Sequence, residues 1–342
     1  MRSRTGGSRR PGLAARQVVD WKQVPVHTGC RRCPPWELAL AAFLVAIAPG
    51  RAHAQAWVPP AGSGSVGLVV QTIDNTGHFL TDGFLAKKGG KSVDSGIAIE
   101  TDYAISDRWS LSAGLPYVFA RYSDPDPPPP FIPFLPVDEC RCWHSGLQDF
   151  GLTARYNVVN KAFALTPSVS VGVPTHDYNY RGEAVLGRNL KELRLAIDAG
   201  QRLDVISTRL SVQARYSYAF VQPVLDVPNN RSNAAVEGAF ELTRKLSVQG
   251  SVSWQHTHGG LRVGSPSLPE LPPPGDVNTS ERLNEHDRLL RDNNWRVGGA
   301  LSYELARFDL FASYISYVRG TDAHAGRAVT GGISWPFEIG RR

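Results

Sequence analysis

From Ser63 onward the chain alternates apolar and polar residues with period two, segment after segment, and the connections between segments alternate as well, short then long. A period of two belongs to strands, whose side chains point to opposite faces in turn. The sequence predicts twelve such segments: 63–73, 93–103, 108–120, 147–157, 161–173, 191–203, 207–220, 232–243, 245–257, 294–304, 308–319 and 326–337. Each is about as long as a tilted strand must be to cross a bilayer, roughly 9–11 residues. Short connections fall at Ala104–Asp107, Val158–Asn160, Asp204–Ile206, Arg244 and Leu305–Arg307. Long ones fall at 74–92, 121–146, 174–190, 221–231 and 258–293, with a shorter one at 320–325. A soluble sandwich does not space its loops this way, whereas short turns at one rim and long loops at the other mark outer-membrane barrels. The expected fold class is all-β, a transmembrane antiparallel up-and-down β-barrel of about 12 strands, with both termini on the short-turn side.

The last segment agrees. In Arg327 to Phe337, RAVTGGISWPF, one face carries Val329, Gly331, Ile333, Trp335 and Phe337, and the other Ala328, Thr330, Gly332, Ser334 and Pro336. A final strand ending in an aromatic residue is expected to close the barrel against the first, since no sheet edge stays unpaired in lipid. The other segments divide the same way. Trp109, Leu111, Leu115, Tyr117 and Phe119, then Phe150, Leu152, Ala154 and Tyr156, are expected to face lipid. So are Leu210, Val212, Tyr216, Tyr218, Phe220, Leu246, Val248, Val252, Trp254, Trp295, Val297, Leu301 and Tyr303, with Trp and Tyr near strand ends. The opposite faces carry Glu100, Asp102, Asp149, Arg155, Glu192, Arg194, Asp198, Arg202, Arg215, Glu237, Glu241, Arg296 and Glu304. Charges are expensive against lipid, so these are the lumen-lining candidates. Their mixed signs predict carboxylates and guanidiniums that satisfy one another, a few of them beside a solute path.

Composition narrows the class. Mean hydropathy is slightly negative, and no apolar run is long enough to span as a helix. The net charge of +6 sits mostly in the first 35 residues, and no basic stripe interleaved with aromatics suggests nucleic acid. Trp36 to Ala48, WELALAAFLVAIA, follows basic residues and precedes Ala52-His53-Ala54. This is the layout of a secretory signal peptide with a small-x-small site. The expected division is a leader over 1–54, cleaved before Gln55, and a barrel over 55–342. Cys30 and Cys33 fall in the leader. Cys140 and Cys142 stand in a Pro-rich loop, where an exported pair is open to oxidation, and metal binding with His144 is the weaker option.

Two loops are unusual. Pro125 to Pro136 reads PDPPPPFIPFLP and Leu268 to Pro274 reads LPELPPP; such runs favour extended conformations that do not join a sheet. Phe131, Ile132, Phe134 and Leu135 are too apolar for a solvated tip, which makes Phe131 and Phe134 candidates for a constriction at the barrel mouth. Leu283 to Asp292, LNEHDRLLRD, is a candidate short helix. An outer-wall hydrolase would need a Ser and a His side by side. Ser253 and His256 differ in parity and point to opposite faces. His256, His258 and His286 would form a metal site only if their loops met. No catalytic residue, metal or cofactor is assigned.

Two stretches carry a family resemblance. Glu100 to Tyr117, ETDYAISDRWSLSAGLPY, resembles a hairpin of the outer-membrane family named for the MetA-pathway of phenol degradation. Ser145 to Tyr156, SGLQDFGLTARY, resembles the Gly-Leu-Gly-Asp strand start of that family, with Gln148 in place of its second glycine. The resemblance is clearest over 94–173. It implies a barrel that passes small, often aromatic or hydrophobic compounds, and it supplies no catalytic residue. The sequence thus leads to an outer-membrane channel or transporter. Its expected partners are outer-membrane lipid and lipopolysaccharide, the barrel-assembly machinery and small hydrophobic solutes. A non-conducting surface barrel is the alternative, ahead of an outer-membrane hydrolase.

Overall fold

In the computed structural model, residues 56–123, 141–262 and 285–339 are described. They belong to one compact unit, Trp36–Arg342. The strands are β1 (Ser63–Phe79), β2 (Leu85–Ala104), β3 (Trp109–Ser123), β4 (His144–Leu147), β5 (Asp149–Tyr156), β6 (Val159–Asn160) and β7 (Phe163–Pro174). They continue with β8 (Glu192–Arg202), β9 (Leu210–Val221), β10 (Asn229–Glu241), β11 (Leu246–Gly259), β12 (Asn293–Glu304), β13 (Asp309–Thr321) and β14 (Ala323–Glu338). A one-turn helix, α1 (His286–Leu289), precedes β12.

These make twelve antiparallel staves. β4 and β5 are one stave broken at Gln148, and β6 is a two-residue hairpin arm on β7. Neighbours in sequence are neighbours in space, and β1 pairs with both β2 and β14, so the sheet closes with no free edge. Phe337 lies opposite Gly64 and stacks on Tyr103 at 6.3 Å. Gly64 is required there: a Cβ would stand 2.5 Å from the Phe337 ring.

The faces follow the alternation. Down each stave, the outward rows hold mainly Leu, Val, Ile, Ala, Gly, Ser, Thr and aromatics, with Pro167 and Gln201 among them. Between the two rims they hold no Asp, Glu, Lys or Arg. Ile99, Leu195, Val236, Leu301 and Val329 are each more than 40% exposed on the outer wall. That is the surface of a barrel that sits in lipid rather than water.

The strand ends depart from expectation at the long-loop rim. The connection expected at 74–92 is only Leu80–Phe84, because β1 and β2 remain paired beyond a bulge between Asn75 and Gly77. The connection expected at 320–325 shrinks to Asp322, in a left-handed conformation at φ 52°. Above the lipid neither face meets hydrocarbon, so the hydrophobic alternation fades while the hydrogen-bonded ladder continues. At Gln148 the register slips by one residue: Leu147 and Phe150 are both exposed on the outside, with Gln148 and Asp149 turned inward between them. This is a β-bulge, and it splits the segment expected over 147–157.

Candidate functional site: the lumen and its two mouths

The register places Glu100, Asp102, Asp149, Arg155, Arg194, Asp198, Arg202, Arg215, Glu237, Glu241, Arg296 and Glu304 on the rows opposite the apolar face. Four of them form two pairs with one another, and several others take partners outside the set. Arg155 on β5 donates to Asp102 on β2, and Ser112 donates to the same carboxylate at 3.3 Å. Arg215 on β9 grips Asp198 on β8 at 3.1 and 3.2 Å, and Asp198 is 2% exposed. Gln213 donates to Glu237 at 2.6 Å. Glu192 takes Arg194 from its own strand and Arg231 from β10, the latter at 2.8 Å. Arg296 lies over the Tyr317 ring. Paired in this way, Asp102, Arg155, Asp198, Arg215, Glu192 and Arg231 each keep a partner after losing part of their water.

At the short-turn end, residues 56–60 fold back into the barrel. Asn157 and Thr166 donate to the Ala56 carbonyl at 3.0 and 2.6 Å, and the Ala56 amide donates to Gln213 at 3.3 Å. Trp57 Nε1 donates to the Lys161 carbonyl at 2.9 Å, and Asn160 donates to the Val58 carbonyl at 3.2 Å. Ala56 and Val58 are buried. Gly200 makes room, since a Cβ there would meet the Trp57 ring and Ala56 Cβ at 2.5 and 2.6 Å. Beside this segment lies a cavity of roughly 860 Å³, walled by Arg202, Gln213, Glu237, Glu241, Gln249, Ser251, Phe311, Ile315 and Trp57 itself.

At the other end, the loop between β7 and β8 folds inward. Leu186 packs on the inward-facing Val118 and Ala120 and on Tyr178. The Tyr178 hydroxyl donates to Asp149 and accepts the Asn189 amide at 2.8 Å. Burial and Asp149 push the Tyr178 phenol up, so it remains a donor. Gln148 donates to the Leu186 carbonyl at 2.9 Å. α1 lies beside this loop. Leu289 is fully buried with Leu190, Ala219 and Val221, while Glu285 takes both Arg181 and Arg288, and His324 on β14 meets Asp287 at 3.2 Å. Burial, with Arg231 nearby, pulls the Arg188 guanidinium down to about 9, so it is charged at neutral pH. Beneath Val185 and Leu186 a pocket of roughly 300 Å³ is lined by Val69, Ile73, Ala98, Pro116 and Val118, with Gln71, Glu100 and Gln148 at its polar margin.

The helix expected within Leu283–Asp292 is present as α1. Phe131 and Phe134, the expected mouth residues, lie outside the described residues, as do the leader, the 268–274 run, Cys30, Cys33, Cys140 and the His286 side chain. Cys142 is disulfide-bonded. The mouth residues that are described, Trp57, Tyr178, Leu186, Arg188, Glu285 and Arg288, carried no periodicity or motif that could have singled them out. On the outer wall, Ser253 and His256 do lie on opposite faces. The neighbouring Ser232 lies 2.7 Å from His258 Nε2, but it is 3% exposed and 3.1 Å from the Tyr216 hydroxyl, so it is covered rather than presented to a substrate.

Similarity to solved structures lies in the fold. The COG4313 outer membrane channel from Pseudomonas putida F1 matches with a TM-score of 0.60 at 15% identity, over 85% of this chain and all of that one. The translocator domain of the autotransporter NalP from Neisseria meningitidis matches at a TM-score of 0.45, 12% identity, 88% of this chain and 96% of that one. The toluene transporter TodX of Pseudomonas putida matches at 0.38, 10% identity, 86% and 93%. No protein-family model and no curated protein matches the sequence. The likeness to the COG4313 channel is one of fold, and the strand pairing makes that fold a closed twelve-stranded antiparallel barrel of the outer-membrane kind.

Proposed function

We propose that this chain is an outer-membrane channel for small solutes, exported by a signal peptide cleaved before Gln55, with its short turns in the periplasm and its long loops outside. One observation carries the reading. The interior holds a large space at the short-turn end and a second pocket under the inward loop, with apolar walls and the carboxylates of Asp94 and Glu100 among its lining. The larger space falls within the ~300–1,000 Å³ usual for small-molecule sites. The smaller pocket, walled by Val69, Ile73, Ala98, Pro116 and Val118, favours a compact aromatic or hydrophobic body, with Gln71, Gln148, Asp94 and Glu100 to meet its polar group. The resemblance to the phenol-degradation family and the solved channel with the same fold support that choice of class.

Refolded full-length protein in planar bilayers tests it. Discrete conductance steps that a small aromatic alcohol reduces, more strongly than an aliphatic sugar does, are expected. A barrel that is heat-modifiable yet electrically silent, and that admits neither solute into proteoliposomes, would favour the non-conducting surface barrel instead.

A further inference from the structure

The outer wall carries no charge between its rims, and then four charged residues appear together on adjacent staves at the long-loop rim. Asp74 on β1 lies directly opposite Arg327 on β14 and bonds it at 3.2 Å. Its other oxygen holds Lys91 of β2 at 2.9 Å. One strand further, Arg121 on β3 pairs with Val93 and lies over the face of Trp143 at 5.0 Å. Arg121 has no carboxylate partner among the described residues. Lys91 and Arg327 are 47% and 60% exposed, whereas Asp74 is 13% exposed. Two of the three cations therefore share one largely covered carboxylate, and Arg121 adds a third positive charge beside them.

Height explains why they can stand there. Arg327 is ten residues above Phe337 on the same outward row. At ~3.3 Å per residue and a tilt of ~40°, the separation is about 25 Å along the barrel axis, the height of the apolar band of such barrels. Phe337 and Tyr103 mark one edge of that band, and the cations lie at the other. A carboxylate that shares two cations fixes their positions without cancelling the patch. Stacking on Trp143 holds the Arg121 plane and leaves its edge N–H groups for an oxyanion.

We propose that Lys91, Arg121 and Arg327 form a binding site for the phosphate groups of the outer-leaflet lipid, lipopolysaccharide, held against the outer wall across β14, β1, β2 and β3. The site rests on the orientation given under Proposed function, with the long loops outside.

The test is the lipopolysaccharide phosphate that remains with full-length barrels extracted gently from outer membranes. The triple variant Lys91→Ala/Arg121→Ala/Arg327→Ala should lose on the order of tenfold in retained lipid, as the removal of three interfacial cations implies. The matched triple at the other rim, Arg108→Ala/Lys161→Ala/Arg307→Ala, should lose none. Unchanged retention by a heat-modifiable long-loop triple overturns the site. Loss in the short-turn triple alone overturns the orientation instead. Should the long-loop triple fail to fold, Lys91→Ala and Arg327→Ala made singly must each lower retention, and retention equal to the parent overturns the proposal. Inorganic phosphate added at millimolar concentration should leave the lipid bound, and displacement by it would mark a free-anion site and overturn the lipid assignment.

Discussion

The five residues that fold back at the short-turn end are the most sensitive part of the lumen, because their balance is close. Five hydrogen bonds hold 56–60 to Asn157, Thr166, Gln213, Lys161 and Asn160. At ~0.5–1.5 kcal/mol net each they contribute roughly 2–7 kcal/mol. Burying Val58 adds about 1.5–3 kcal/mol. Ordering five residues costs about 5–10 kcal/mol. The terms nearly cancel, so losing a bond or two should release the segment while leaving the barrel intact. Asn157→Ala with Thr166→Ala removes both donors to the Ala56 carbonyl, about 1–3 kcal/mol, which moves a two-state equilibrium by roughly 5–150-fold. Gly200→Val reaches the same end by a different route, because its Cβ overlaps the Trp57 ring.

Single-channel recording reads the result. Both variants should show larger or longer-lived conductance steps than the parent, and deletion of 56–60 should reproduce the larger step without further gain from Gly200→Val. A folded Asn157→Ala/Thr166→Ala barrel with the parent's conductance and open time would show that the segment does not limit the path, and the reasoning would fail.

Other perturbations test the remaining parts. Tyr178→Phe removes the bonds to Asp149 and from Asn189, and hydrogen exchange at the Leu186 amide, which bonds Asn179, should accelerate while amides of β8 and β9 do not. Asp102→Asn leaves Arg155 half-partnered and should lower unfolding stability by on the order of 1–3 kcal/mol, with Asp102→Asn/Arg155→Gln recovering part of it in a double-mutant cycle. Phe337→Asp should abolish recovery of heat-modifiable protein from outer membranes, whereas Ser334→Asp, inward and opposite Asp309, should be recovered to a far greater extent; equal recovery would contradict the closing role of the last strand.

What the sequence showed clearly is what the surroundings impose locally. A stave between lipid and lumen alternates because its two faces meet different media, so Leu195 and Arg194, or Val252 and Ser253, can be told apart without a structure. The lumen charges were visible for the same reason, being tolerable on one face only. The strand ends were not visible, because past the bilayer Asn75 to Phe79 and Leu85 to Ser92 no longer have lipid against one face and need not alternate. Nor was the slip at Gln148, where the outward pattern changes parity within one residue. The mouths were hardest. Trp57 seats on a glycine 143 positions away, and Arg181 meets Glu285 across 104. No local pattern encodes such a meeting, because each partner reads as an ordinary loop residue until the barrel brings them together.

The segments at the two mouths are held by different chemistry. At the short-turn end the ties are neutral hydrogen bonds to backbone carbonyls, with an indole laid on Gly200. At the long-loop end they are ionic: Glu285 between Arg181 and Arg288, and Asp287 against His324, around a small apolar cluster at Leu289. Neutral bonds are nearly indifferent to salt. Ion pairs weaken with screening where they are exposed, as the Arg181 side is, and persist where both partners are covered, as in Arg288 with Glu285. The outer closure therefore has a loose and a firm strand, and ionic strength acts on the loose one first. The inner closure answers to chain order instead, because its energy balances the entropy of five residues. The segments at the two ends thus answer to independent quantities, and a change that releases one leaves the other in place.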